Sequence, residues 1–195
     1  MKPFRAVTSS AAVLDRPDVD TDQIIPKQFL KRIERTGFGE FLFFDWRKDP
    51  GFELNQPEAD GARILLAGRN FGCGSSREHA AWALQDYGFD AVVAPSFGDI
   101  FRQNSLKIGL LPVVLPQDEV KELMARADAG EELTVDLEAR TAGGFDFALD
   151  DFSRECILNG LDDVALTLRE DEAISAYEAR HAAPLSTRNL GDTPP

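Results

Sequence analysis

The chain has 195 residues, a formal net charge of −13 and two cysteines. This length suits one domain with a core of its own, and two cysteines cannot form a disulfide framework. No apolar run approaches the roughly 20 residues needed to span a bilayer, and the first residues lack the apolar core of a signal peptide, so we expect a cytoplasmic protein with no membrane partner.

The charge lies unevenly along the chain. Residues 1–115 hold 15 acidic and 14 basic side chains, whereas residues 116–180 hold 18 acidic and 6 basic. A nucleic-acid surface needs clustered lysines and arginines, so we expect no DNA or RNA partner. The acidic part is most simply a solvated face, with a docking surface for a basic partner as the alternative.

The first 61 residues predict short and irregular elements. Residues 6–14 and 18–26 suggest short strands separated by an aspartate-rich turn. Residues 27–37, KQFLKRIERTG, place apolar side chains at helical spacing and end on a glycine, which predicts a helix. Residues 38–61 are rich in aromatic residues and then in proline, glycine and asparagine, which predicts an irregular connection.

From residue 62 the pattern becomes regular. Continuous apolar runs, typical of buried parallel strands, lie at residues 62–68, 89–95 and 110–116. A helical pattern follows each run and ends at a glycine, namely Gly88, Gly109 or Gly130. Alternation of strands and helices makes a parallel β-α-β core the default.

The C-terminal part predicts an antiparallel hairpin and helices. Residues 132–149 alternate apolar and polar positions around TAGG, which indicates the hairpin, and residues 150–181 suggest terminal helices. Residues 182–195 have no periodicity and predict a disordered tail. The predicted class is therefore α/β with a mixed sheet, in one domain over residues 1–181.

The most informative stretch is LLAGRNFGCGSSREHAAWAL, residues 65–84, which runs from an apolar strand through three glycines into a helix. A structural explanation is a capping box, in which the Ser75 hydroxyl accepts from the Glu78 backbone and the Glu78 carboxylate reaches back. It leaves Arg77 unexplained, because a cation in the first turn opposes the helix dipole.

Three chemical interpretations of this stretch can be compared with its residues. A nucleophile elbow needs Gly-x-Ser-x-Gly, and no glycine follows the serine. A phosphate cradle fits better, since a glycine turn before a helix presents backbone NH groups to an anion and Arg77 can grip a carboxylate or phosphate. A metal site within this chain is excluded, because an iron–sulfur cluster needs three or four cysteines and only Cys73 and Cys156 are present.

Several motifs together carry a resemblance to a known family. They are, in chain order, DVDTDQIIPKQFLK, RTGFGEFLFFDWR, NFGCGSSREHAAWAL, APSFGDIF and FDFALDDFSRECILNGLDDVALTL. Over residues 1–180 the chain closely resembles the small subunits of 3-isopropylmalate dehydratase. The resemblance implies the swivelling β/β/α domain of aconitase-like enzymes. It also implies a hydro-lyase that interconverts 2-isopropylmalate and 3-isopropylmalate in leucine biosynthesis, by dehydration and rehydration.

The same resemblance implies a cofactor and a partner. This chain would bind no cofactor, and a large subunit would carry a [4Fe–4S] cluster. The chain would be active only with that subunit, as a heterodimer or a higher assembly, on a small diacid. By family position, Ser75 is the catalytic base, while Ser76 and Arg77 hold the substrate carboxylates. Asp22 matches an orienting or proton-relay group, with a turn-forming aspartate as the alternative.

One departure from aconitase bears on the substrate. Aconitase has a further substrate-binding arginine at a position where this chain has Glu34. Its loss fits an isopropyl group in place of a third carboxylate. The apolar segment GFGEFLFF is our candidate for reading that group, with Phe38 and Phe41 nearest its start. An aromatic core patch is the alternative.

Two other functions compete at this point. One is the small subunit of another aconitase-like hydro-lyase, such as a citraconate or maleate hydratase or a homoaconitase. The other is a stand-alone module that binds a carboxylate or phosphate on the same loop, without an iron–sulfur partner.

Overall fold

The computed structural model describes residues 1–30, 36–75 and 77–181. The chain divides into two compact units, Met1–Leu161 and Asp162–Pro195. The strands of the first unit are β1 (Ala6–Ser9), β2 (Ala11–Leu14), β3 (Ile64–Ala67), β4 (Ala91–Ala94), β5 (Leu111–Val114), β6 (Leu133–Asp136), β7 (Thr141–Ala142) and β8 (Phe145–Asp146). Its α-helices are α1 (Thr21–Ile24), α2 (Glu78–Tyr87), α3 (Asp99–Ile108), α4 (Gln117–Asp128) and α5 (Asp151–Asn159).

A parallel sheet of order β2-β3-β4-β5 forms the centre of the first unit, as the apolar runs predicted. Every residue of β3 and β4 is buried. Alternate side chains enter two different cores: Leu65 packs with the alanines of α2, whereas Leu66 packs with α4. Because both faces are covered, these strands read as continuous apolar runs.

The antiparallel strands form a second sheet, of order β1-β6-β7-β8. The hairpin around TAGG is confirmed, with Gly143 and Gly144 between β7 and β8. The α/β class, the parallel core and the C-terminal hairpin therefore stand. Parallel and antiparallel strands lie in two separate sheets rather than in one mixed sheet, since β1 pairs with β6 while β2 pairs with β3.

The strand predicted within residues 18–26 is wrong, because Thr21–Ile24 is the short helix α1. The Asp20 carboxylate accepts from the Gln23 backbone N at 2.8 Å, and the Gln23 side chain accepts from the Asp20 backbone N at 2.9 Å. This capping box satisfies the first donors of the helix and decides the local structure.

Of the helix predicted for residues 27–37, the described residues show one 3-10 turn at Lys27–Phe29, and Thr36 and Gly37 lie outside any helix. Residues 31–35 lie outside the described residues. The irregular connection at 38–61 is confirmed, with 3-10 helices at Gly39–Phe41, Trp46–Lys48, Glu53–Asn55 and Pro57–Ala59. Much of it is core, and its buried large side chains are Phe38, Leu42, Phe43, Phe52 and Leu54.

The terminal helices are confirmed. Helix α5 lies in the first unit, and the second unit contains α6 (Asp163–Leu168) and α7 (Asp171–Arg180). The predicted tail, residues 182–195, lies outside the described residues. Across the described part of the chain, every helix is too short or too polar to cross a membrane.

A close backbone approach before α3 generates a stability prediction. A Cβ added at Gly98 would lie 2.6 Å from the Gly72 carbonyl O and 3.1 Å from the Cys73 Cα. Since a backbone atom cannot swing aside, we expect Gly98→Ala to lower the free energy of unfolding by about 1–3 kcal/mol in urea titrations. The matched control is Gly51→Ala, whose nearest neighbour is the movable Asp49 side chain at 3.3 Å. Equal stability of the two variants would contradict this packing.

Candidate active site

Residues 68–77, here called the site loop, join β3 to α2 at the carboxyl edge of the parallel sheet. In open parallel sheets this edge is where ligands bind. The segments that follow β2 and β4 flank the site loop and hold its backbone from two sides. Gly72 N donates to Val19 O at 2.7 Å, and Phe71 N donates to Ser96 O at 3.0 Å. Gly98 N returns a bond to Phe71 O at 2.9 Å.

Ser75 is tied to α1 through its backbone while the residue itself is exposed. The buried Thr21 hydroxyl donates to the Ser75 carbonyl O at 3.0 Å, and Thr21 N donates to Cys73 O at 3.0 Å. The serine therefore has a fixed main chain and faces solvent. Ser76, its predicted partner in carboxylate binding, lies outside the described residues.

The capping box expected between Ser75 and Glu78 is wrong. Helix α2 begins at Glu78, and the N-cap is Arg77, which has extended backbone at φ −141° and ψ 114° and makes no side-chain capping bond. The extended backbone at Arg77 means that helical geometry starts only at Glu78, three residues after the serine. Helix capping therefore does not account for Ser75.

Arg77 and Asp22 are brought together by the fold, although 55 positions separate them in the sequence. The Arg77 side chain is 13% exposed, and its Nη1 donates to Asp22 Oδ1 in an ion pair. Lys27 Nζ lies 3.6 Å from the other carboxylate oxygen, Asp22 Oδ2. The hydrogen bond from Arg77 is the main cause that lowers the pKa of Asp22, while burial acts in the opposite direction. The result is a charged cluster beside the site loop.

Cys73 in the site loop is poorly suited to react. Its Sγ donates to Asp18 O at 3.4 Å. Burial, followed by the charges of Asp20 and Asp18, raises the pKa of the Cys73 thiol, which keeps it protonated. Cys156 is buried on α5. Within the described residues, no three histidine, cysteine or acidic side chains group closely enough to hold a metal ion. The sequence has two cysteines, fewer than the three or four that an iron–sulfur cluster needs.

The predicted specificity residues lie beside α2. Phe38 is fully buried, and its ring centroid is 5.1 Å from that of His79, which in turn lies 4.7 Å from Trp82. Burial is also the main cause that lowers the pKa of His79. Phe41 is half-buried and stacks on Phe29 at 4.0 Å. The burial of Phe38 favours the core alternative for that residue, and the specificity role of the pair stays a prediction.

Sequence reasoning missed three residues that contact the site loop or Asp22: Thr21, Lys27 and Ser96. The Asp-x-x-Gln spacing at residues 20–23 carried the signal for a capped helix that places Thr21 and Lys27 near the site loop. Ser96 follows a predicted parallel strand, and such positions meet at one edge of a sheet. Only the pairing of particular side chains, such as Lys27 with Asp22, had no local signal.

The fold and this site loop define a domain of the aconitase C-terminal class. The family model described as the aconitase C-terminal domain matches residues 1–118. A second model, which describes the C-terminal domain of 3-isopropylmalate dehydratase small subunits, matches residues 163–183.

Curated relatives narrow this class. The chain is 57% identical to the 3-isopropylmalate dehydratase small subunit of Acidobacterium capsulatum, over 93% of this chain and 91% of that one. It is 58% identical to the Rubrobacter xylanophilus small subunit, over 91% and 94%. The crystal structure of Methanocaldococcus jannaschii 3-isopropylmalate dehydratase (leuD) matches with a TM-score of 0.63 and 27% identity, covering 89% of this chain and 99% of that one. The chain belongs to the family of 3-isopropylmalate dehydratase small subunits.

The ion pair between Asp22 and Arg77 generates a pH prediction. A carboxyl whose pKa is lowered below its ordinary 3.8 stabilises the fold above that value, and the contribution disappears as the pH falls through the lowered pKa. We expect Asp22→Asn to lower the free energy of unfolding by about 0.5–1 kcal/mol at pH 7 and by nothing measurable at the acid end of a urea series run against pH. The exposed Asp60→Asn serves as control. A difference that persists unchanged into acid would refute the assignment.

Proposed function

We propose that this chain is the small subunit of 3-isopropylmalate dehydratase, a hydro-lyase of leucine biosynthesis that interconverts 2-isopropylmalate and 3-isopropylmalate. The observation that carries the proposal is the site loop, where a mostly buried Arg77 stands two residues from the exposed Ser75. Close identity to relatives of that name, over more than nine-tenths of the chain, supports the same conclusion. We place the enzyme in the cytoplasm.

The site on this chain is one half of an active site. Gly74 and Ser75 are exposed at the carboxyl edge of the sheet, where a partner can close over a small diacid. We assign that role to the large subunit, in a heterodimer or higher assembly, and place a [4Fe–4S] cluster there. When bound, such a cluster supplies a Lewis-acidic iron that polarises the leaving hydroxyl group.

Ser75 is proposed as the base that takes the proton from the carbon next to the leaving hydroxyl. A free hydroxyl is a weak acid, so its alkoxide needs nearby positive charge and backbone NH donors. The Arg77 cation and the start of α2, which has no side-chain cap, supply both kinds of group close in the chain. The bond from Thr21 to the Ser75 carbonyl fixes the main chain that carries the hydroxyl.

Arg77 is proposed to hold a substrate carboxylate, together with Ser76. A guanidinium has five N–H donors in a planar fork. The bond from Nη1 to Asp22 uses part of this fork and holds it in one orientation, which leaves other donors to grip the substrate. On this account Asp22 is a positioning residue, and Phe38 and Phe41 belong to the segment that reads the isopropyl group.

The base assignment gives a direct kinetic prediction. In the assembled enzyme we expect Ser75→Ala to lower kcat by about 10²–10⁴-fold, the usual contribution of a positioned acid–base group, with an unchanged thermal midpoint. The control is Ser96→Ala, whose hydroxyl accepts from Asn70 N at 2.8 Å and so has a structural role. It should lower the thermal midpoint and keep kcat. Normal turnover by Ser75→Ala would exclude this serine as the base.

The carboxylate grip gives a second kinetic prediction. Lysine keeps the charge but loses the planar fork, so we expect Arg77→Lys to raise KM for 2-isopropylmalate by about 10–100-fold, the loss of one charge-assisted bond or more. The control is Arg69→Lys. Arg69 is an exposed residue of the site loop whose side chain pairs with Asp18, so this variant should leave KM unchanged. An unaltered KM in Arg77→Lys would remove the arginine from the substrate site.

The substrate itself is tested by comparing diacids on the assembled pair. We expect kcat/KM to be highest for 2-isopropylmalate and 3-isopropylmalate. A higher value for citraconate, maleate or homoaconitate would instead assign the chain to a related hydro-lyase. Tight binding of an anion by the single chain, with no turnover in any assembly, would identify a stand-alone binding module.

A further inference from the structure

The second unit presents apolar side chains to solvent. In α6, Val164 and Leu168 are four residues apart and are 68% and 65% exposed. In α7, Ile174 and Tyr177 are three residues apart and are 37% and 58% exposed. Residues spaced by three or four share one face of a helix, so each helix carries an apolar pair on one side. We call these four side chains the apolar pairs.

These helices have no core of their own. None of the residues in α6 or α7 is buried. The helices have 6 and 10 residues, and isolated helices shorter than about 12–15 residues are marginal in water. Exposed apolar residues that are neighbours mark an interaction site more often than those scattered singly, and each helix carries one neighbouring pair. The segment therefore calls for an apolar surface to cover it.

The comparisons indicate the kind of protein that supplies this surface. The family model of the aconitase C-terminal domain matches this chain only up to residue 118. Residues 163–183 match the family model of the C-terminal domain of 3-isopropylmalate dehydratase small subunits. The segment is thus described as a feature of chains that work as separate small subunits. A separate subunit needs a binding surface to reach its large subunit.

Charge argues against a second copy of this chain as the partner. Residues 162–181 contain six acidic and two basic side chains. Two copies meeting through this segment would bring the same acidic excess together, and like charges across an interface oppose association. A partner with an apolar groove and a basic rim is complementary to it.

We infer that residues 162–181 form a docking arm for the large subunit, in which the apolar pairs enter an apolar groove rimmed by basic side chains. This inference rests on the proposed function, because that function supplies the large subunit. The arm contributes affinity and takes no part in the chemistry, so its loss should weaken assembly and spare the turnover of pairs that have formed.

The test measures assembly and turnover separately, with full-length chain and purified large subunit at low oxygen. The variant is Leu168→Gln with Tyr177→Gln, since glutamine keeps good helix propensity. The control is Thr167→Gln with Ser175→Gln, at exposed polar positions of the same helices. We expect the first variant to raise the Kd for the large subunit by about tenfold or more, with kcat unchanged at saturating small subunit. The control should bind like the parent, and added salt should weaken the parent's binding.

Other outcomes would overturn the inference. An unchanged Kd would exclude the arm from the interface. An unchanged Kd with a lower thermal midpoint would assign the apolar pairs to the fold of the subunit itself, and a changed self-association would assign them to a second copy. If the parent chain assembles with the large subunit but does not turn over 2-isopropylmalate, the proposed function fails. The Kd values of the variants for the large subunit then still test the docking arm.

Discussion

The candidate site depends on the backbone hydrogen bonds that clamp the site loop between its two neighbours. Val19 O accepts from the loop on one side, and Phe71 exchanges bonds with the segment after β4 on the other. Glycine at 98 allows these backbones to approach, because a Cβ there would lie 2.6 Å from the Gly72 carbonyl O, and a Cβ at Gly72 would overlap the Phe101 side chain. Without this approach, the loop would not bring Ser75 and Arg77 up to α1, where Thr21 and Asp22 meet them.

The arginine of the candidate site is paired rather than left as an isolated buried cation. A mostly buried arginine without a partner would be costly, and Asp22 offsets that cost in the free subunit. Lys27 gives the same carboxylate a second cation, so two cations face one carboxylate in this cluster. In the proposed function, this cluster faces a diacid held between two subunits. In the proposed function, this chain contributes the base and the carboxylate grip, and the large subunit contributes the cluster.

The fold was largely predictable from residue 62 on, because strands buried on both faces leave continuous apolar runs and Gly88 and Gly109 end their helices. The errors have local physical causes. The segment DVDTDQIIP suggested a strand, yet the Asp20–Gln23 capping box made a helix. The same rule applied to Ser75 failed because the N-cap of α2 is Arg77. The pairing of Asp22 with Arg77 is a long-range contact that spacing does not reveal, and the chemistry assigned to Ser75 came from family resemblance.

The most direct test of the central claim is purification of the tagged chain from its host at low oxygen, with iron content and dehydration of 2-isopropylmalate measured at once on what co-elutes. The account predicts a larger iron-bearing chain in the eluate and turnover that disappears when the two chains are separated. Turnover by an iron-free single chain would contradict the divided site, and an iron-bearing pair inactive on 2-isopropylmalate would contradict the proposed reaction.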